Sequence, residues 1–335
     1  LEEKTVVNNK ALVVGINEYP TCPLAGCVND AEEIGKILSE NGDGSPNFEV
    51  KYALDIKTKA ELYNHINALF NEGEADIALF YFSGHGTDLV DGKLVTPDFT
   101  GMDAGIPMSE ILSMANKSKS KNKIIILDCC FSGRFGENSI TNSTESVLAN
   151  GVTIITASNR DEYSMEVSDD DGIPGHGVFT ELLIQGLKGG AADVGGNITP
   201  ASLYSFVDQS LGLWEQRPLF KTNISRFLPI RTIEPKVSKK TLRKLNVYFE
   251  NADSEFKLDP SFEFTNSPNE THEIKQPYAQ EDNVKIFKDL QLFESVGLIE
   301  PVGEDHMYFA AMNSKTCKLT PLGLHYWKLS RDKRF

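Results

Sequence analysis

The sequence predicts an α/β fold, a mostly parallel sheet flanked by helices, with a small α+β domain at the carboxyl end. Three observations carry this. Between residues 11 and 157, short apolar runs alternate with longer segments of helical period. Two of the runs, ALFYF and KIIIL, are apolar on consecutive residues, the mark of strands covered on both faces. A polar, poorly periodic stretch then precedes a last segment in which regular patterns resume.

In order, the expected strands are ALVVGIN (11–17), FEVKYAL (48–54), DIALFYFS (76–83), KIIILDC (123–129) and GVTIITA (151–157). The helices between them read NDAEEIGKILSE, TKAELYNHINALFN and PMSEILSMAN, with Asn29 and Asp30 as caps of the first and Pro107 in the first turn of the third. SNRDEYSMEVSDDDGIPGHG is too rich in Gly, Pro and Asp for regular structure and reads as a long loop, a kind of segment that often binds or is processed. Two helical patterns follow, VFTELLIQGLKG and TPASLYSFVDQSLGLW, then a strand and exit in RPLFKTNISRFLPI. The first domain therefore spans 1–232. Residues 233–280, with EPKVSKK, read as a linker or irregular segment. Residues 281–335 form the accessory domain, whose order of helix, GLI stop, hairpin-like MYFAAM and KLTPLGLHYW helix resembles a winged helix.

With 335 residues the chain can bury one sizeable core and a smaller one. Its net charge is −15, and the segment from Lys236 onward holds 15 basic and 15 acidic residues of 33 and 48 in all, so the whole acidic excess precedes it. Such a field repels phosphate backbones and attracts cations, which argues against nucleic acid, although solubility alone accounts for it equally well. The neutral accessory domain has no basic stripe and better suits docking of a regulatory partner than DNA. No stretch reaches the ~18 apolar residues of a membrane span, and LEEKTVVNNK lacks the regions of a secretory signal, so the expected location is cytoplasmic with no membrane partner. The chain begins at Leu1 instead of Met, which leaves room for a removed leader. Five irregularly spaced cysteines suit a reducing compartment.

KIIILDCCFSGRF ends an apolar run in adjacent cysteines. Side chains alternate along a strand, so Asp128 and Cys130 share one face and Cys129 turns to the other, where it should be a small buried hydrophobe. Cys130 also stands at the carboxyl end of its strand, where open α/β sheets place their crevice. A thiol needs a means of lowering its pKa, and His85, between two glycines at the end of LFYFSGHG, is the best candidate.

SGHG at 83–86 and DCCFSG at 128–133 resemble the His and Cys boxes of caspase-like cysteine peptidases, with bacterial caspase homologues and metacaspases nearest. ALVVGINEYP with LAGCVNDAEEI, TASNRDEYSMEV, GHGVFTELLIQGL and QRPLF extend the likeness over about residues 10–230. The resemblance implies a caspase-like fold and a Cys-His dyad, with Cys130 as nucleophile and His85 as its proton-transfer partner. It implies an oxyanion hole from the amides of Cys130 and Gly86. Metacaspases hold Arg or Lys with acids, and Asp30 and Asp128 match those positions, so cleavage of protein substrates after Arg, with Lys second, is expected. Read from its position alone, Asp30 is more readily a helix cap. Ser158 would line the substrate groove or simply form a turn.

The likeness also marks RFGENSITNSTESVLANG, with Arg134, and the next loop, with Arg160, as sites of self-processing. Kinship suggests a role in bacterial defence. No cofactor and no metal is expected: Cys22 and Cys27 lack partners for a zinc set, while the run Asp169, Asp170, Asp171 could bind calcium, which activates some metacaspases, but lacks the spacing of a calcium loop. Two rivals compete with the peptidase: a silent scaffold of the same fold, and a regulator working through the carboxyl-terminal domain.

Overall fold

The computed structural model describes residues 8–87, 92–100, 103–129, 148–157, 176–211, 217–225, 228–268 and 273–334. The chain divides into two compact units, Leu1–Glu234 and Pro235–Phe335.

In the first unit β1 (Asn9–Gly15), α1 (Cys27–Ser39), β2 (Glu49–Leu54), α2 (Lys59–Asn71) and β3 (Ile77–Ser83) follow one another. Next come β4 (Gly86–Thr87), β5 (Lys93–Thr100) and β6 (Asp103–Pro107), a small antiparallel sheet, and α3 (Met108–Lys117). The unit continues with β7 (Asn122–Asp128), β8 (Val152–Thr156) and α4 (Val178–Gln185), whose end widens into a π turn over Gly186–Gly190. It closes with β9 (Asn197–Ile198), α5 (Pro200–Ser210), β10 (Leu219–Asn223) and β11 (Arg231–Thr232). The main sheet has the order β10-β8-β7-β3-β1-β2, parallel throughout except for β10.

Both faces of this sheet are covered, which is why β3 and β7 are apolar on consecutive residues. On one face Leu12, Phe80, Phe82 and Leu127 pack with Leu62, Ile66 and Phe70 of α2 and Ile111 and Ala115 of α3. On the other, Val13, Leu79, Tyr81 and Ile126 pack with Ile34 and Leu38 of α1, Phe179 and Leu183 of α4 and Leu203 of α5. The five strands expected between residues 11 and 157 and the first three helices appear within two residues of their predicted bounds, whereas α4 gives way to the π turn after Gln185 and α5 ends at Ser210, each four residues short of its expected end.

The structure corrects several expectations. Helix α1 starts at Cys27 with Gly26 as its N-cap, so Asn29 and Asp30 lie inside the first turn and neither caps it. Pro107 stands at the N-cap of α3, one residue outside the helix. The sheet β4-β5-β6 has no counterpart in the predicted elements, because Pro97 breaks the strand pattern of KLVTPDFT; a register shift between Val95 and Thr100 accommodates it. Residues 233–280 are not a linker, since almost all of them belong to the second unit.

In that segment lie α6 (Lys239–Leu242), α7 (Leu245–Tyr248), β12 (Glu255–Lys257) and a 3₁₀ turn at Pro260–Phe262. Leu242, Leu245, Phe249, Leu258 and Phe262 are buried there; the first three are spaced i, i+3, i+7, but over two four-residue helices, too short a stretch to stand out in a polar segment. After them come α8 (Glu281–Ser295), β13 (Ile299–Val302), α9 (Met307–Met312), β14 (Thr316–Leu319) and α10 (Pro321–Arg331), with an antiparallel sheet β12-β14-β13. MYFAAM is thus a helix, not a hairpin: Met307, Ala310 and Ala311 are buried at helical spacing. Trp327 of α10 donates its indole N–H to the Phe249 carbonyl at 2.7 Å and ties the early segment to the last helix. Among the described residues, no helix is long and apolar enough to cross a membrane.

Candidate active site

Strands β3 and β7 run parallel in a register that sets Ser83 opposite Asp128. Both strands therefore end together at the carboxyl edge of the sheet, and the Gly84 N–H donates to the Asp128 carbonyl at 3.3 Å. Gly84 is required by close approach, since a Cβ there would stand 2.6 Å from the Tyr19 hydroxyl and 2.9 Å from the Phe82 ring. The main chain of His85 is held from two sides. Its N–H donates to the Tyr19 hydroxyl at 3.0 Å, and its carbonyl accepts from the Val95 N–H at 2.9 Å. The Tyr19 and His85 rings lie 4.6 Å apart, and burial pushes the Tyr19 phenol above its usual range, so it stays a neutral hydroxyl.

The imidazole has its own anchor. Nε2 of His85 lies 2.6 Å from the Cys22 carbonyl oxygen. A carbonyl can only accept, so Nε2 carries the proton, and in the neutral ring Nδ1 is left bare to take one. Cys22 is in the left-handed region at φ 60° and is exposed. Its loop, between β1 and α1, is pinned by two side chains. Asp55 accepts from the N–H groups of Asn17 and Glu18 at 2.7 and 2.9 Å, and the Asn17 amide accepts from Val28 N–H and donates to the Ala25 carbonyl.

The two acids lie on the sheet face covered by α1 and α4. Asp30 is 2% exposed, and both its oxygens are engaged: Ser83 donates to Oδ2 at 2.9 Å, and Nδ1 of His176 stands 2.7 Å from Oδ1. Burial raises its carboxyl above the usual value, opposed chiefly by the bond from His176, then by that from Ser83, with the Gly177 amide also helping. Asp128, also buried, accepts from the Thr180 hydroxyl at 2.7 Å, and that hydroxyl contacts the Tyr81 phenol at 2.6 Å. Gly177 caps α4 so close to Asp128 that a Cβ would lie 2.7 Å from its Oδ2.

The structure thus brings His85, Asp30 and Asp128 to the ends of neighbouring elements. Gly86 follows as the first residue of β4. Cys129 is 1% exposed in the core face opposite Asp128, as alternation requires. Cys130, Ser158, Arg134, Arg160 and the run Asp169–Asp171 lie outside the described residues. Five participants escaped the sequence reading. Tyr19 and Ser83 stood in quoted motifs without a role; the Cys22 carbonyl is a main-chain group that no motif can show; Thr180 and His176 come from α4 and its approach.

The site is thus a histidine that follows the end of one strand, with Asp128 and Cys129 at the end of the neighbouring strand and two buried acids on one face. The sequence profile of the peptidase C14 family, the caspase domain, matches residues 8–245, and the chain belongs to that family. Metacaspase-8 of Arabidopsis thaliana is 31% identical over 142 residues, an alignment spanning 37% of this chain and 37% of that protein. Among solved structures, protein GSU0716 from Geobacter sulfurreducens aligns over 68% of this chain and all of its own at 20% identity and TM-score 0.48. Caspase-1 from Spodoptera frugiperda aligns over 68% of this chain and 91% of its own at 17% identity and TM-score 0.47.

Two measurements follow from the geometry. Nitrogen NMR of labelled protein, at a pH where the ring is neutral, should find His85 protonated on Nε2; Cys22→Gly should keep that state and Cys22→Pro, whose ring forbids positive φ, should lose it. A predominantly Nδ1-protonated wild type would contradict the anchoring. Asp30 binds its proton more readily in the folded than in the unfolded chain, so its contribution to stability is full at low pH and is lost as pH rises through the raised value. Asp30→Asn should therefore gain on wild type in denaturant unfolding between pH 4 and pH 7; a relative loss would contradict the burial argument.

Proposed function

We propose that the protein is a cysteine endopeptidase that cleaves protein substrates after Arg, with Lys second, through a Cys130–His85 dyad. The observation that carries the reading is the Nε2 bond of His85 to the Cys22 carbonyl, because it leaves Nδ1 as the proton acceptor a thiol needs. Membership of the caspase-domain family supports it, as does the shared register of β3 and β7, which ends both strands at one edge with Ser83 opposite Asp128.

In this reading Nδ1 of His85 takes the Cys130 thiol proton, and the sulfur attacks the carbonyl carbon after the basic residue. The amides of Cys130 and Gly86 receive the developing oxyanion, each contributing roughly 3 kcal/mol. Collapse expels the amine, which takes the proton from His85 and leaves a thioester. Water, deprotonated by His85, then cleaves the thioester and regenerates the thiol. The Cys22 carbonyl steadies the imidazolium while it is charged, and Tyr19 keeps its backbone in place. Asp30 and Asp128 receive the cationic side chain, with Ser158 beside the groove. Arg134 and Arg160 are the sites of self-processing, and the second unit docks a regulatory partner.

Peptides ending in Arg, Lys and Asp before the scissile bond test this directly. Arg should be cleaved fastest and Lys next. Cys130→Ala should abolish turnover, and Asp30→Asn should lower kcat/KM for Arg at least tenfold, the scale of one charge-assisted bond. Preferential cleavage of the Asp peptide would refute the specificity. Active wild type should show fragments ending at Arg134 or Arg160 that Cys130→Ala lacks; a single intact band for active enzyme would remove the self-processing step.

A further inference from the structure

We propose that His176 is a built-in competitor for the acidic pocket, which holds Asp30 and sets the threshold for binding until a cationic side chain takes its place. The inference rests on the reading of Asp30 and Asp128 as the pocket for a basic side chain.

That pocket is already filled. His176 and Gly177 are consecutive, and together they lie on both acids: the imidazole and the Gly177 amide on Asp30, the Gly177 Cα against Asp128. The contacts differ in how readily they yield. Ser83 and Thr180 are 2% and 0% exposed, and Gly177 contributes its main chain at the head of α4. The His176 side chain is 28% exposed, and among the described residues it alone contacts Asp30 from a side chain that is neither buried nor part of a strand or helix. A cation arriving at Asp30 therefore takes Oδ1 from the imidazole.

The exchange discriminates between cations. Displacing His176 forfeits one bond to a carboxylate, and the newcomer must do better. A guanidinium offers parallel N–H groups in a rigid fork and sheds its hydration easily. An ammonium is a compact, strongly hydrated charge that replaces one bond by one. Side chains without positive charge have still less to offer. His176 thus raises the threshold by the same amount for every ligand, and a guanidinium, which has the most to offer at Oδ1, clears it most readily.

Butylguanidine and butylamine, used as probes of the two side chains, give a test that needs no turnover. Their dissociation constants are measured by calorimetry or NMR titration on the full chain. His176→Ala should bind both more tightly, each by about tenfold for one forfeited bond, with the preference for the guanidine kept. His176→Gln can still donate to Oδ1 of Asp30 and should stay near wild type. His176→Ser opens the pocket with a smaller change and serves should the alanine variant not fold. A role in structure alone would weaken binding on removal of the imidazole, so unchanged or weaker binding in the Ala and Ser variants overturns the inference. Asp30→Asn separates the two levels. If it binds butylguanidine as well as wild type does, the acidic-pocket reading falls and this inference with it. If it loses binding while His176→Ala gains none, only the inference falls.

Discussion

The pairing of β3 with β7 is the constraint on which the rest of the molecule depends. Seven residue pairs run from Ile77 against Asn122 to Ser83 against Asp128. A slip by one residue would turn Asp128 toward the opposite face and bring Cys129 to the side of Asp30. The slip is prevented by burial on both faces. Phe80, Phe82 and Leu127 fill one side, and Leu79, Tyr81 and Ile126 fill the other, so each neighbouring register would exchange two complementary packing surfaces. The precision of the sheet edge is therefore a product of the core.

On that edge, main-chain groups and buried hydroxyls do most of the positioning. A histidine between glycines would otherwise sample many orientations; the Cys22 carbonyl, the Tyr19 hydroxyl and the Val95 amide leave it one. The acids are treated differently. Asp30 is buried at a cost that its partners only partly offset, since burial is the largest influence on its proton affinity. A carboxylate held in that state has a strong demand for a cation, which is what a binding pocket for a basic side chain requires. Its occupation by His176 meets part of that demand in the resting structure.

Much of this was legible in the sequence, and the failures have physical causes. Strands apolar on consecutive residues announced a doubly covered sheet, and alternation along KIIILDCC put Asp128 and Cys129 on opposite faces, as observed. The ordered boxes marked His85. What the sequence hid were contacts made by atoms without identity in a motif, such as the Cys22 carbonyl, and contacts across long separations, such as His176 on Asp30, 146 residues apart. Asp30 read more readily as a cap because its spacing to the helix fits one; only the start of α1 at Cys27 puts it inside the first turn and faces it to the sheet. The region 233–280 looked like a linker because its composition is polar and its helices, Lys239–Leu242 and Leu245–Tyr248, are only one turn each.

The central claim is that Cys130, and not its neighbour, acts with His85 on substrates carrying a basic residue. A thiol-reactive peptide probe ending in arginine, followed by mass mapping of the modified residue, examines it most directly. The account predicts a single adduct on Cys130 that persists in Cys129→Ala, disappears in Cys130→Ala and forms far more slowly in His85→Ala. An adduct on Cys129, or modification of Cys130 at an undiminished rate without the imidazole, would contradict it.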